Sequence, residues 1–243
     1  MKNITKNTII FLVFISILQS CDGDSEKQKQ GQSEKILESK KTPIYKDNMT
    51  KPVNISIDKI PAEIKYEGKV KNAVHWTDKL GENIVITTET GIYQSSKFKH
   101  EMEGGDAELF AYHFIKSNGD FKQTWKVYDF ISDCPVDIVA SFIDKTFNIT
   151  DLNHNGIAEV WLMYETVCHG DVSPMDMKII MYEGQQKFAM RGENKIMYGS
   201  DENGQKMYDG GKYQIDNAFS NGPTVFLEFA KKLWNKNITG TWK

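Results

Sequence analysis

"AEVWLMYET", residues 158–166, decides how this chain folds. In an extended segment alternate side chains point to opposite faces, so Val160, Leu162 and Tyr164 share one side and Trp161 and Met163 the other. Both sides are apolar. Such a strand is covered on both faces and belongs in the centre of a sheet with a layer above and a layer below. Seven further segments are short, β-branched and aromatic: "NIVITT" (83–88), "ELFAYHFIK" (108–116), "QTWKVYDF" (123–130), "VDIVASFI" (136–143), "TFNIT" (146–150), "MKIIMYE" (177–183) and "KFAMRG" (187–192). They read as strands. "SNGD" at 117–120 carries Asn118-Gly119, the strongest short hairpin signal, and "EGQQ" at 183–186 is a second plausible turn.

The order of the pieces repeats. "HWTDKLGENIVITTET" (75–90) precedes "ELFAYHFIKSNGDFKQTWKVYD" (108–129), and "NITDLNHNGIAEVWLMYET" (148–166) precedes "DMKIIMYEGQQKFAMRGE" (176–193), so that Asp78 corresponds to Asp151 and Glu89 to Glu165. Convergence of two strand-turn-strand patterns would look the same. The expectation is a mainly β domain over 52–243, built of two antiparallel four-stranded meanders (about 70–130 and 146–195), sandwich-like or partial-propeller-like, since closing a propeller takes at least four such units. In "SNGPTVFLEFAKKLWNKN" (220–237) the period changes: Phe226, Phe229, Ala230 and Leu233 fall at i, i+3, i+4 and i+7 behind Pro223. This predicts an amphipathic α-helix over about 223–235 that covers one sheet face.

Immediately before the central strand stands "TDLNHNGIAEVWL" (150–162). Calcium asks for six to eight oxygens, and a tight loop supplies them by turning alternate side chains inward. Asp151, Asn153 and Asn155 would take the first, third and fifth positions, the carbonyl of Ile157 the seventh and Glu159 the ninth, with Gly156 allowing the bend. The twelfth position is Leu162 where an EF-hand has glutamate. Residues 150–164 instead resemble the D-x-D-x-D-G-x-x-D loops of FG-GAP and VCBS-type β-propeller repeats, with Asn in place of Asp twice. Two carboxylates predict weak structural calcium binding, about 0.1 to 1 mM. A hairpin loop whose Asp and Asn side chains bond their own backbone is the competing reading.

The chain opens with Lys2, Lys6, the apolar run Ile9–Leu18 and then Leu18-Gln19-Ser20-Cys21. About ten apolar residues suit an export signal, whereas a bilayer span needs about twenty. Residues 1–20 therefore read as a lipoprotein signal peptide, and Leu-x-Ser-Cys resembles the bacterial lipobox, which implies acyl chains on Cys21 as the anchor to a membrane. Residues 21–51, rich in Lys, Glu, Gln and Ser, read as a flexible tether. Loss of the leader's two lysines takes the formal charge from -3 to -5, and no basic stripe tracks phosphates, so a nucleic-acid partner is not expected. Outside the cytoplasm Cys134 and Cys168 are expected to pair as a disulfide. Free buried thiols are the next reading, and a Cys168/His169 nucleophile and base is a third, although neighbours in a strand point apart.

No G-x-S-x-G, HExxH, Walker loop or dinucleotide fingerprint occurs, and the five histidines show no short metal spacing. Among these, His75 and His113 read as packed or surface residues. Of the five tryptophans, Trp125 and Trp161 read as core, while Trp76 and Trp242 are the better candidates for an exposed sugar-stacking platform.

From about Tyr128 to Trp234 the cysteine-containing strand end, the "TDLNHNGIAEVW" loop, "CHGDVSP", "MKIIMYEG" and "FLEFAKKLWNK" resemble a family of small Gram-negative lipoproteins and secreted proteins labelled surface polysaccharide biosynthesis proteins. The resemblance implies a role in making or displaying lipopolysaccharide, in the outer membrane on its periplasmic or cell-surface face. It transfers no catalytic residue. The expected function is a non-catalytic accessory or binding factor whose partner is a glycan or an envelope assembly protein. The alternative is a hydrolase or other enzyme acting on cell-surface polysaccharide, with carboxylates of the 151–176 loops as its acid and base.

Overall fold

The computed structural model describes residues 49–240, which fall within the compact unit Tyr45–Lys243. The leader, Cys21, nearly all of the tether and Trp242 lie outside the described residues. Packing begins slightly before residue 52: Met49 lies against the core and Thr50 N–H donates to the Thr77 carbonyl at 2.8 Å.

The chain forms β1 (Val53–Asn54), β2 (Lys69–Asp78), β3 (Gly81–Glu89), β4 (Gly105–Ser117) and β5 (Asp120–Cys134), joined in that order into one antiparallel sheet. The β4–β5 hairpin turns on Asn118 and Gly119, whose φ angles of 54° and 94° are the left-handed pair that a two-residue turn requires. Then follow β6 (Asp137–Phe142), β7 (Asn148–Thr150), β8 (Glu159–His169), β9 (Asp176–Glu183) and β10 (Gln186–Glu193), a projecting ribbon of β11 (Lys195–Ser200) and β12 (Lys206–Gly210), and β13 (Tyr213–Ile215). The second sheet runs β13-β10-β9-β8-β6, with β7 also paired to β8. It has six strands rather than the expected four, because β6 and β13 extend its two edges.

As its sequence requires, β8 is paired on both edges, to β9 on one side and to β7 and then β6 on the other. Its Val160, Leu162 and Tyr164 meet Trp76, Val85, Leu109, Trp125 and Val127 of the first sheet, and so form the core between the sheets. Trp161 and Met163 point the other way. There they meet α1 (Asn217–Asn221) and α2 (Thr224–Asn237), which bury Phe219, Phe226, Ala230, Leu233 and Trp234. Pro223 is the N-cap of α2, one residue before its first turn. The outer face of the first sheet carries Ile84, Ile86, Phe110, Tyr112 and Phe114 beneath Ile55, Ile60 and Ile64 of the preceding segment.

Cys134, at the end of β5, is disulfide-bonded to Cys168 in β8, which ties the two sheets where the chain crosses between them. Closing a loop of 34 residues stabilises the fold by about 3 to 4 kcal/mol in the loop-entropy model. Trp125 and Trp161 are buried, and so is Trp76, at 1% exposure. The surface expectation for Trp76 is therefore corrected: β2 turns Val74 and Trp76 inward, and the indole N–H donates to the buried Asp78 carboxylate at 3.1 Å.

Candidate functional site

The residues of the expected metal loop come together at the N-terminal end of β8. Asp151 accepts from the N–H groups of Asn155 and Gly156, Asn153 from Asn155, and Asn155 from Ile157, all between 2.7 and 3.1 Å. His154 and Gly156 take positive φ, which folds the loop back on itself. Glu159 is fully buried, accepting from Leu152 N–H and the Thr150 hydroxyl. Burial first, and then the nearby Asp151 and Glu183 charges, raise its pKa above the ordinary carboxylate value.

Glu183, which the sequence did not single out, comes from the end of β9 and accepts from the side-chain amides of Asn153 and Asn155 at 2.7 and 2.6 Å. From the first sheet the β2–β3 turn presses against the loop: Lys79 N–H donates to the Gly156 carbonyl at 2.9 Å, its ammonium donates to the Asn155 carbonyl, and Ala158 N–H donates to Asp78 at 3.0 Å. The loop is thus a joint between sheets. No group of three or more His, Cys, Asp or Glu placed to hold a metal ion occurs among the described residues.

A second site lies at the other end of β8, eleven residues and roughly 30 Å away. Here the 170–175 loop and the β11–β12 ribbon enclose an open cleft of about 490 Å³, lined by Asp171, Val172, Ser173, Tyr198, Tyr208 and Asp209. Met197 pairs with Tyr208 and Gly199 with Met207, so Tyr198 is the extra residue of a bulge, which turns it into the cleft beside Tyr208. Tyr198 and Tyr208 are 51% and 42% exposed, and the Lys195 ammonium lies 4.6 Å from the Tyr208 ring centre.

What holds the ribbon in place is Asn194, 1% exposed. Its side-chain oxygen accepts from Met175 N–H at 2.9 Å, and its carbonyl accepts from Gly211 N–H at 2.9 Å. Gly210, at φ 75°, lies so close to the Asn194 carbonyl and Pro174 that a Cβ would fall 2.2 Å from that oxygen. Only glycine fits there.

Within the cleft, Ser173 donates its hydroxyl proton to Asp171 at 2.5 Å, and His169 Nδ1 is 3.0 Å from the same hydroxyl. The Ser173 hydroxyl and N–H hold the Asp171 carboxyl below its ordinary value.

Comparisons with protein-family models, with curated proteins and with solved structures give no match. Of the residues named from sequence, Asp151, Asn153, Asn155, Ile157 and Glu159 share one loop, and Cys134 and Cys168 are bonded. The tyrosine cleft has no sequence signal, because Met197, Tyr198 and Tyr208 stay exposed and give the ribbon no alternating pattern.

Beneath the joint, a stack of rings runs Trp76, His113, Trp125, Tyr182, with centroids 5.6, 5.1 and 4.3 Å apart, from the first sheet to the second. His113 bonds Thr124 and Asn83, and burial pushes its pKa down to about 4. Between pH 6.5 and 4 the unfolded chain holds a proton on this imidazole that the folded chain does not. Stability is therefore full above about pH 6.5 and falls by about 3 kcal/mol as pH drops to 4. Urea unfolding at pH 7 and 4.5 of the wild type and of His113→Gln should show the acid loss shrinking in the variant. Equal losses in the two proteins would assign it elsewhere.

Proposed function

We propose that the domain is a non-catalytic glycan-binding factor of the bacterial envelope. In this reading acyl chains on Cys21 hold it in the outer membrane, and it serves the making or display of surface polysaccharide such as lipopolysaccharide. The observation that carries the binding reading is the cleft, in which the half-exposed Tyr198 and Tyr208 rings stand between the Asp171 and Asp209 carboxylates and the Ser173 hydroxyl. A sugar ring offers an apolar face of C–H groups to an aromatic ring and hydroxyl protons to carboxylates. The envelope assignment draws on the leader and on the family resemblance, and the Cys134–Cys168 bond is in keeping with an oxidising compartment. The Ser173 hydroxyl donates to Asp171 rather than to His169, which does not favour that serine as a nucleophile. The same reading takes β2–β5 and β7–β10 as two copies of one meander.

A glycan array probed with the full chain tests it. A restricted set of envelope glycans should be retained, with no shortening of the retained glycans on incubation. Retention of none, or hydrolysis abolished by a single carboxylate substitution, would count against the reading.

Calcium belongs to this proposal as a weak structural ion, with Asp151, Asn153, Asn155, Glu159 and the Ile157 carbonyl as its oxygen donors. With a Kd near 1 mM, about 10 mM calcium adds roughly 1.4 kcal/mol and raises Tm by roughly 3 to 6 °C over chelator. Because loop and cleft lie at opposite ends of β8, glycan affinity should stay unchanged. Identical melting in calcium and chelator removes the ion from the account.

A further inference from the structure

A second cleft, about 800 Å³, is shaped by β9, β10 and β13. One row of side chains crosses this sheet in register: Tyr164 opposite Lys178, Lys178 opposite Arg191, and Arg191 opposite Gln214. Tyr164 lies in the core between the sheets, so the row continues that inner face outward to where the first sheet no longer covers it. Lys178 is already paired, its ammonium 2.6 Å from Asp129 of β5.

Arg191 is different. It is the single arginine among the 30 lysines and arginines of the chain, and its guanidinium makes no hydrogen bond or ion pair with any described residue. Lys212, from the turn before β13, lines the same cleft and is likewise without an ion pair among the described residues. Further along the inner face, burial and then the Arg191 charge hold the Lys187 ammonium below its ordinary value, against the opposing Asp216 and Asp129 charges. Asp176 and Glu193, opposite one another at the rim, repel an anion from that end and leave the Arg191–Lys212 side open to it.

We infer that this cleft is a binding site for an oxyanion, a carboxylate or phosphate carried by the glycan. The inference rests on the glycan reading above and adds that the glycan is an acidic one. A guanidinium presents a planar fork of donors that matches a carboxylate or phosphate in two parallel hydrogen bonds, which an ammonium does not. The two clefts have no lining residue in common but are close along the chain. Asp209 lines the first and Lys212 the second, three peptide steps apart and hence at most about 11 Å between Cα atoms, and Ser173 and Asp176 are related in the same way. A single oligosaccharide can therefore rest a ring on the tyrosines while its acid group reaches Arg191.

The lone arginine makes the test direct, because the ¹⁵N-labelled full chain gives one arginine Nε–H resonance. The probes are tetragalacturonate, its neutral methyl ester, and inorganic phosphate. The Arg191 signal should shift with tetragalacturonate or with phosphate and stay in place with the ester, and whichever acid acts tells carboxylate from phosphate. Arg191→Gln should weaken binding of that acid at least tenfold, and Arg191→Lys should weaken it by a smaller factor, since the charge remains and the fork is lost. An Arg191 signal indifferent to both acids, or Arg191→Gln binding them as well as wild type, overturns the inference. If phosphate moves the arginine signal while no oligosaccharide perturbs the tyrosine rings, the anion site stands and the glycan reading fails. If neutral sugars perturb those rings and neither acid moves the arginine, the glycan reading stands and the anion site falls.

Discussion

Asp78→Ala should destabilise the domain by about 4 kcal/mol, lowering Tm by roughly 8 to 16 °C. The Asp78 carboxylate, 7% exposed, accepts from four donors: the Trp76 indole, the Asn83 amide, Leu80 N–H and Ala158 N–H. Three belong to the first sheet and the fourth to the segment leading into β8, so one side chain closes a tight turn and also fastens the two sheets. Removing it leaves buried donors without partners, each costing about 1 to 3 kcal/mol, and these losses overlap because the donors relax together. Asp78→Asn keeps one acceptor oxygen and should cost about half as much. Urea unfolding measures both, and hydrogen exchange should find the Leu80 and Ala158 amides opening first. A loss below about 1 kcal/mol for Asp78→Ala would mean that the joint is not a fastening.

Trp161→Ala should cost about 4 to 5 kcal/mol, at the upper end for a large core side chain. Trp161 is fully buried between β8 and the helices, with Phe219, Phe226 and Phe229 as its ring neighbours at 6.3, 6.5 and 4.6 Å. Its indole N–H also donates to the Thr150 hydroxyl at 2.9 Å, and that hydroxyl donates to Glu159. Truncation therefore opens a cavity under α2 and loosens the base of the 151–159 loop at once. Trp161→Phe, which fills most of the space and loses the hydrogen bond, separates the two parts and should cost about 1 to 2 kcal/mol. Calorimetry gives both values. Equal costs for the two variants would locate the effect in the hydrogen bond rather than the packing.

The centre of the fold was legible because β8 is apolar on two faces, and neither an edge strand nor a half-exposed one can be. Both hairpin turns were legible for a local reason, since Asn118, Gly119 and Gly184 adopt positive φ where the strands reverse. The ribbon was not legible: of its residues Ile196 alone is fully buried, and backbone pairing rather than an apolar face shapes it. Strand β13 has three residues and depends on its hydrogen bonds to β10. Trp76 was misread because its neighbours His75 and Thr77 are polar and point outward, which disguises a core position in a strand whose start the sequence did not mark. The calcium-type loop was read residue by residue, but Glu183 reaches it only through the pairing of β8 with β9, which no local spacing encodes. Asp78 and Asp151 each accept backbone N–H groups where the chain leaves a strand.

The most direct measurement is a calorimetric titration of the best array glycan into the full chain and into Tyr198→Ala/Tyr208→Ala, with Tm recorded for both. Two stacked rings are worth about 2 kcal/mol, so the variant should bind roughly 30-fold more weakly at unchanged Tm. An affinity within threefold of the wild type would show that the sugar sits elsewhere.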